Sequence, residues 1–255
     1  MENNIFSIKR FGMLFKKHTI ENLKFYAMGI VVMTGILVVW LGFHTLMNKS
    51  PIPPEIQWVF YWMFLLAFGT IFVSNLFEAF GNRKKSIITL ILPASHLEKF
   101  LVGWTYSVII LPIIYTACYY LADVFTLSLK SGDAELFNVF STDPRTSFLC
   151  RVYLLLNSIA LLGAIYFEKF HFIKIAFAFF IAIVLILAIN NQVIKSLIPS
   201  VIEDGPFYKT RVREGEGSFE IILAKSSQNI YDWLVYGLCI PFWMAAYYKI
   251  KEKQV

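Results

Sequence analysis

FYAMGIVVMTGILVVWLGFHTLM, residues 25–47, contains no Asp, Glu, Lys or Arg. A helix needs roughly 20 predominantly apolar residues to cross the hydrocarbon core of a bilayer, and this stretch supplies them. Its apolar residues are continuous. They do not alternate with polar ones, as those of a membrane barrel strand do. Helix is also the conformation that satisfies its own backbone polar groups in lipid. The stretch therefore reads as a transmembrane helix.

Five further blocks of the same kind lie along the chain, at about residues 58–80, 101–125, 148–167, 175–194 and 230–248. Glu78, Asp123 and Arg151 stand near ends of the second, third and fourth. Of the 255 residues, 58% are hydrophobic and 16% are charged. Soluble domains average about 45–50% apolar and about 25% charged. The expected fold is an all-α integral membrane protein with six transmembrane helices, forming a single transmembrane domain over residues 1–255.

Basic residues flanking spans mark the cytoplasmic side. With the N-terminus inside, 14 of the 23 Lys and Arg fall inside, among them Lys9, Arg10, Lys16, Lys17, Arg83, Lys84 and Lys85. Acids such as Glu55, Asp133, Glu203, Asp204 and Glu220 fall outside. The expected location is a bacterial inner (cytoplasmic) membrane, multi-pass, with both termini cytoplasmic. The net charge of +6 then reflects this topology and contact with anionic headgroups. No basic stripe with interleaved aromatics lies in a soluble segment, so nucleic acid is not an expected partner. The first apolar run is too long, and begins too late, for a cleavable signal peptide.

Much chemistry is missing. No Gly is followed by Lys, so there is no phosphate-cradling GxxxxGK[ST] loop. His18, His44, His96 and His171 form no HExxH, and no GxSxG elbow is present. Cys118, Cys150 and Cys239 lie in or beside apolar spans, without metal-like spacing. No catalytic residue, resident metal or cofactor is expected. Trp58, Trp104, Trp233 and Trp243 fall near span ends, as interfacial anchors do.

Three segments carry positive information. Residues 4–24, NIFSIKRFGMLFKKHTIENLK, interleave Ile5, Ile8, Phe11, Leu14 and Phe15 with Lys9, Arg10, Lys16 and Lys17. This spacing predicts a basic amphipathic helix over residues 1–23 lying in the inner interface, with a restart near Thr19, Glu21 and Asn22 before the first span. Residues 81–100, GNRKKSIITLILPASHLEKF, open with Arg83, Lys84 and Lys85 and close with Pro93, Ser95, His96, Leu97, Glu98 and Lys99. Ser95 and Glu98 have capping-box spacing, so a helix is expected to begin near His96. Pro93 ends whatever precedes it. The apolar run 87–92 is too short to span and needs shielding by the interface, by the spans or by a partner. Residues 199–229 form a long, charged, glycine-punctuated outer loop whose fold the pattern leaves open.

Polar residues inside spans cost energy and need a reason. The candidates for a pathway or for interhelical bonding are Asn75, Glu78, Asp123, Arg151, Asn157, Asn190 and Asn191. Asp123 and Arg151 stand near the outer ends of neighbouring spans, where they could pair.

The opening FSIKRFGMLFKKHTIENLKFY, the phrase TLILPASHLEKFLVGW after the second span and the six-span layout resemble the type-2 permease family of ATP-binding-cassette transporters, in a Bacteroidetes-like form. The resemblance implies an interfacial helix and, between spans two and three, a coupling helix over residues 86–99 that docks on a separate ATPase subunit. It makes Arg83, Lys84, Lys85, Pro93, Ser95, His96, Leu97, Glu98 and Lys99 the coupling candidates. It also implies a second permease subunit, identical or not, and it leaves ATP and Mg on the partner. Such subunits mostly export, with diverse cargo. Two rivals remain: a signalling or assembly subunit with a ligand-binding outer loop, and a lipid-acting membrane enzyme, for which no cluster of acids, histidines or nucleophile is present.

Overall fold

The computed structural model describes residues 6–47, 52–81, 94–129, 136–139, 144–167, 201–204, 209–214, 217–222 and 225–252, with isolated positions between 174 and 196. Helix dominates. Helix α1 spans Ile8–Met47, α2 Pro54–Gly81, α3 His96–Thr105, α4 Leu111–Ser128, α5 Pro144–Tyr166 and α6 Lys225–Glu252. A π-helical turn, Tyr106–Ile110, joins α3 to α4 without a break. Among the described residues, four helices are long and apolar enough to cross a membrane: Ile8–Met47, Pro54–Phe77, His96–Ser128 and Arg145–Tyr166. Helix α6 covers the expected sixth span, residues 230–248, but is not one of those four. The expected fifth span, 175–194, lies largely outside the described residues.

The expectation of an interfacial helix separate from the first span does not hold. Helix α1 is 40 residues long and runs through the anticipated restart. Thr19 Oγ1 donates to Phe15 O at 2.8 Å, and Asn22 Nδ2 donates to His18 O at 2.9 Å. Both side chains bond one turn back in a continuing helix, where a cap would bond forward across a break. Gly12 meets nothing within 4 Å, so it marks no close approach that would interrupt the helix.

Among the described residues, two apolar cores stack along the bundle. The first gathers Leu37 and Leu41 of α1, Tyr61 and Leu65 of α2, and Tyr115 and Tyr119 of α4. The second gathers Val73 and Phe77 of α2, Phe100 of α3, Leu161 and Ile165 of α5, and Ile250 of α6. Helix α5 packs between α2 and α6, while α1 lies along α4. Close packing has steric causes. A Cβ on Gly69 would stand 2.6 Å from Tyr153 Cε2, and one on Gly103 would stand 2.5 Å from Phe77 Cζ. Small residues let helix backbones approach closely in this way.

The outward faces are apolar as well. Val31, Val39 and Phe43 of α1, Ile113 and Leu121 of α4, and Trp233 of α6 are exposed. A monomer in water does not normally carry contiguous apolar patches on this scale, whereas hydrocarbon accommodates them.

Within the 199–229 loop, β1 (Val201–Asp204), β2 (Lys209–Glu214) and β3 (Gly217–Ile222) form an antiparallel sheet in the order β1-β2-β3. The β2–β3 pair registers Lys209 with Ile222 and Glu214 with Gly217. The β1–β2 register shifts between Val201 and Glu203.

Candidate functional site at the junction of α1 and α3

The chain enters α3 through Ser95, whose extended backbone makes it the N-cap. Ser95 Oγ accepts from Glu98 N at 3.1 Å, and Glu98 Oε2 accepts from Ser95 N at 2.9 Å. The capping box read from the sequence is formed on both sides.

The same carboxylate holds the start of α1. Glu98 Oε1 accepts from Ser7 N at 2.8 Å and from Arg10 Nε at 3.2 Å. Ser7 stands immediately before α1, and Phe11 N donates to its carbonyl at 2.9 Å. One fully buried carboxylate therefore meets the N-terminal ends of two helices, where exposed N–H groups and the helix dipole favour negative charge. Arg10, on the first turn of α1, supplies the opposite charge. Below this clasp, Tyr106 of the π turn receives α1. The Phe15 ring stacks on it with centroids 4.9 Å apart, Tyr26 stacks at 5.3 Å, and the Thr19 and Tyr106 hydroxyls share a short hydrogen bond.

A cleft of about 350 Å³ opens beside this junction, between α1, α2 and α3. Its polar lining includes Lys17, His18, Asn22, Asn75 and Lys99; its apolar wall includes Phe25, Phe72, Leu76 and Phe80. The His18 imidazole is held on both sides of the ring. Nε2 lies 2.7 Å from the Tyr26 hydroxyl, and Asn22 Nδ2 lies 3.4 Å from Nδ1. Lys17 Nζ faces Glu21 Oε1 at 3.7 Å across one turn.

No protein-family model, no curated protein and no solved structure matches this chain. Function must therefore be argued from the residues and their placement.

The candidate residues divide as follows. Ser95, His96 and Leu97 are half-buried at the head of α3, and Glu98 and Lys99 are buried. Arg83, Lys84, Lys85 and Pro93 lie outside the described residues, as do Asn190 and Asn191. Glu78 falls within α2, but its side chain is outside the description. Asn75 is exposed and lines the cleft.

Asn157 bonds between helices, and the reason lies in the π turn. Leu111 N–H reaches back to Tyr106 O, one residue farther than an α-helical bond. The next residue, Pro112, has no N–H to offer. Ser107 O is thus passed over by its own helix. It accepts instead from Tyr153 Oη at 2.7 Å and from Asn157 Nδ2 at 3.3 Å, both on α5.

The expected pairing of Asp123 with Arg151 does not occur. Arg151 Nη1 donates to Ser147 Oγ at 2.8 Å, one turn back on α5. Among the described residues neither carboxylate oxygen of Asp123 has a hydrogen-bond partner. Although α2 packs against both helices, α4 lies mainly along α1 and α5 mainly along α2 and α6. Adjacency of spans in the sequence did not bring these side chains together.

Sequence reasoning missed the second half of Glu98's role. The capping box was visible because its members are three residues apart. The bonds to Ser7 and Arg10 cross 91 and 88 residues and leave no local pattern. Among the described residues no group of three or more His, Cys, Asp or Glu is placed to hold a metal.

Proposed function

We propose that this chain is the transmembrane permease subunit of an ATP-binding-cassette transporter, working as an exporter. A separate ATPase subunit would drive it by gripping the segment between α2 and α3. The observation that carries this reading is the joint at Glu98. It ties the head of α1 to the point where the 81–100 segment enters α3. A partner that displaced that segment would move both helices together. The phrase TLILPASHLEKFLVGW occupies this position, and the order of elements accords with six spans if residues 175–194 and α6 cross the membrane with the other four.

The mechanism is then a population shift. ATP closing the partner would bind one arrangement of the bundle more tightly than another, and only such differential binding can move the equilibrium. The basic N-terminal flank and the 83–85 cluster would lie in the cytoplasm, with both termini, on the inner membrane. A second permease subunit, identical or different, would complete the pathway. No chemistry is assigned to this chain, and ATP and Mg would bind the partner.

One observation favours a second reading. The 199–229 loop holds an antiparallel sheet, as a ligand-binding element on a signalling or assembly subunit would. Co-purification separates the two. Tagged protein in mild detergent should bring down an ATPase subunit, with nucleotide or without it. A Lys84→Glu, Lys85→Glu variant should lose it while remaining monodisperse. If wild type retains no ATPase under any nucleotide condition, the transporter reading fails and the sheet becomes the place to seek function. Glu98 is unsuitable for this test, because changing it would undo the α1–α3 joint itself.

A further inference from the structure

We propose that the sheet of β1, β2 and β3 seats one of its faces on the bilayer surface, against zwitterionic lipid. The seating rests on α6 crossing the membrane with the other helices, and on no ATPase.

The register makes the sheet two-faced. Residues directly paired in an antiparallel ladder share a face, and neighbours along a strand alternate between faces. One row joins Val201, Val212 and Phe219; the next, on the opposite face, joins Glu203, Arg211 and Glu220. Ile221, paired with Thr210, belongs to the face of the first row. Lys209 and Arg213 belong to the face of the second. The shift in β1 completes this sorting. Between Val201 and Glu203 the chain takes two steps where β2 takes one, from Val212 to Arg211. In an unbroken ladder Glu203 would share a face with Val201; the shift carries it across to the row of Arg211. One face is therefore apolar at its centre and the other is charged.

Position and size name the occupant. Strand β3 ends at Ile222 and α6 begins at Lys225. The expected span starts at residue 230, about 8 Å farther along the helix. The headgroup layer is roughly 5–8 Å thick on each side of the hydrocarbon core, so the end of β3 comes to its level. Among the described residues the strands pack chiefly on one another. A second copy is the weaker occupant. Strands of up to six residues make a face of about 300 Å². Two such faces would bury roughly 600 Å², about half the lower end of stable interfaces. A bilayer sets no such threshold, because α6 already holds the sheet beside it. Charge then selects the lipid. Asp204 and Glu214 stand at the ends of the apolar face, which carries no Lys or Arg among the described residues. Anionic headgroups are repelled there, and zwitterionic ones are not.

The test uses the full chain in phosphatidylcholine nanodiscs, with Cys150→Ala removing the exposed native thiol and one spin label at an introduced cysteine. Phe219→Cys is compared with Arg211→Cys. Leu238→Cys, at an exposed position in the middle of α6, marks the hydrocarbon. Power saturation reads contact with oxygen, which partitions into lipid, and with a water-soluble nickel chelate. The label at position 219 should gain oxygen contact and lose nickel contact relative to that at 211. Phosphatidylglycerol nanodiscs should reduce the difference. Val212→Cys and Arg213→Cys, neighbours in β2, repeat the comparison if the first pair does not fold. Equal nickel contact on the two faces in phosphatidylcholine, with position 238 in lipid, strikes the seating of the sheet and leaves the spans standing. A label at 238 in water removes α6 from the membrane and overturns the proposal through its premise. A difference that phosphatidylglycerol enlarges overturns the choice of zwitterionic lipid.

Discussion

Glu98 and Arg10 meet at 3.2 Å, with the carboxylate fully buried and the guanidinium side chain one-third exposed. The pair closes a ring of contacts in which Glu98 also takes the backbone N–H groups of Ser7 and Ser95. Removing the acid strands two helix ends; removing the base leaves the carboxylate its two backbone donors. Glu98→Ala should therefore lower stability by about 1–3 kcal/mol, and Arg10→Ala by less, because water already reaches the guanidinium. Thermal unfolding of the detergent-solubilised protein measures both. A Glu98→Ala variant as stable as wild type would show that the joint does not hold α1 to α3.

Ser95 offers a milder change at the same point. Ser95→Ala removes the acceptor for Glu98 N and should cost about 1 kcal/mol, whereas Ser95→Asp, also a good N-cap, should retain most of the stability. The ordering of the two variants in a thermal melt is the check.

Gly103 has no room for a side chain. Gly103→Ala should destabilise by about 1–3 kcal/mol through overpacking against Phe77. Phe77→Leu in the same chain should recover part of that loss, since the clash is with the ring edge. Additive losses in the double variant would refute a direct contact.

Tyr153 and Ser107 give a double-mutant cycle. Tyr153→Phe removes the stronger of two side-chain donors to Ser107 O and should cost about 1 kcal/mol, the scale of interhelical hydrogen bonds in membranes. Pro112→Ala returns a backbone N–H to that region of the helix and should make the loss of the tyrosine hydroxyl smaller. A Tyr153→Phe penalty identical in both backgrounds would break the link between the proline and the interhelical bond.

Asp123 should behave as a liability for stability. It is fully buried, and its oxygens meet no hydrogen-bond partner among the described residues. Asp123→Asn should leave the thermal midpoint unchanged or raise it, because an uncharged amide is cheaper to bury than a carboxylate. Combined with Arg151→Gln, its effect should be additive within about 0.5 kcal/mol. A large coupling energy would restore the ion pair that the spacing suggested.

What could be read from the chain by itself was local or compositional. The apolar blocks announce helices of membrane-crossing length because each satisfies its own backbone and needs no distant partner. The capping box at Ser95 and Glu98 was legible for the same reason, its members being one turn apart. The polar side chain of Asn157 could be placed mid-span, but its partner could not. That partner is a carbonyl freed by a π turn and by Pro112, and pattern reading sees neither the turn nor which helix lies opposite. The antiparallel sheet in the 199–229 loop was hidden because its charged, glycine-broken composition suits loop and strand alike.

The sequence alone determined that this is a chain of long apolar helices with a basic amphipathic start and a capped entry into the third span. Tertiary structure alone decided that α1 is one continuous helix, that Glu98 clasps its head to α3, that Asp123 stands apart from Arg151, and that a cleft opens beside the clasp. The division has one physical cause. Hydrophobicity and capping act over a turn or a span and are written in adjacent letters, whereas hydrogen bonds and ion pairs between helices depend on which faces meet. In a bundle whose surfaces are apolar nearly all round, periodicity does not say which faces those are.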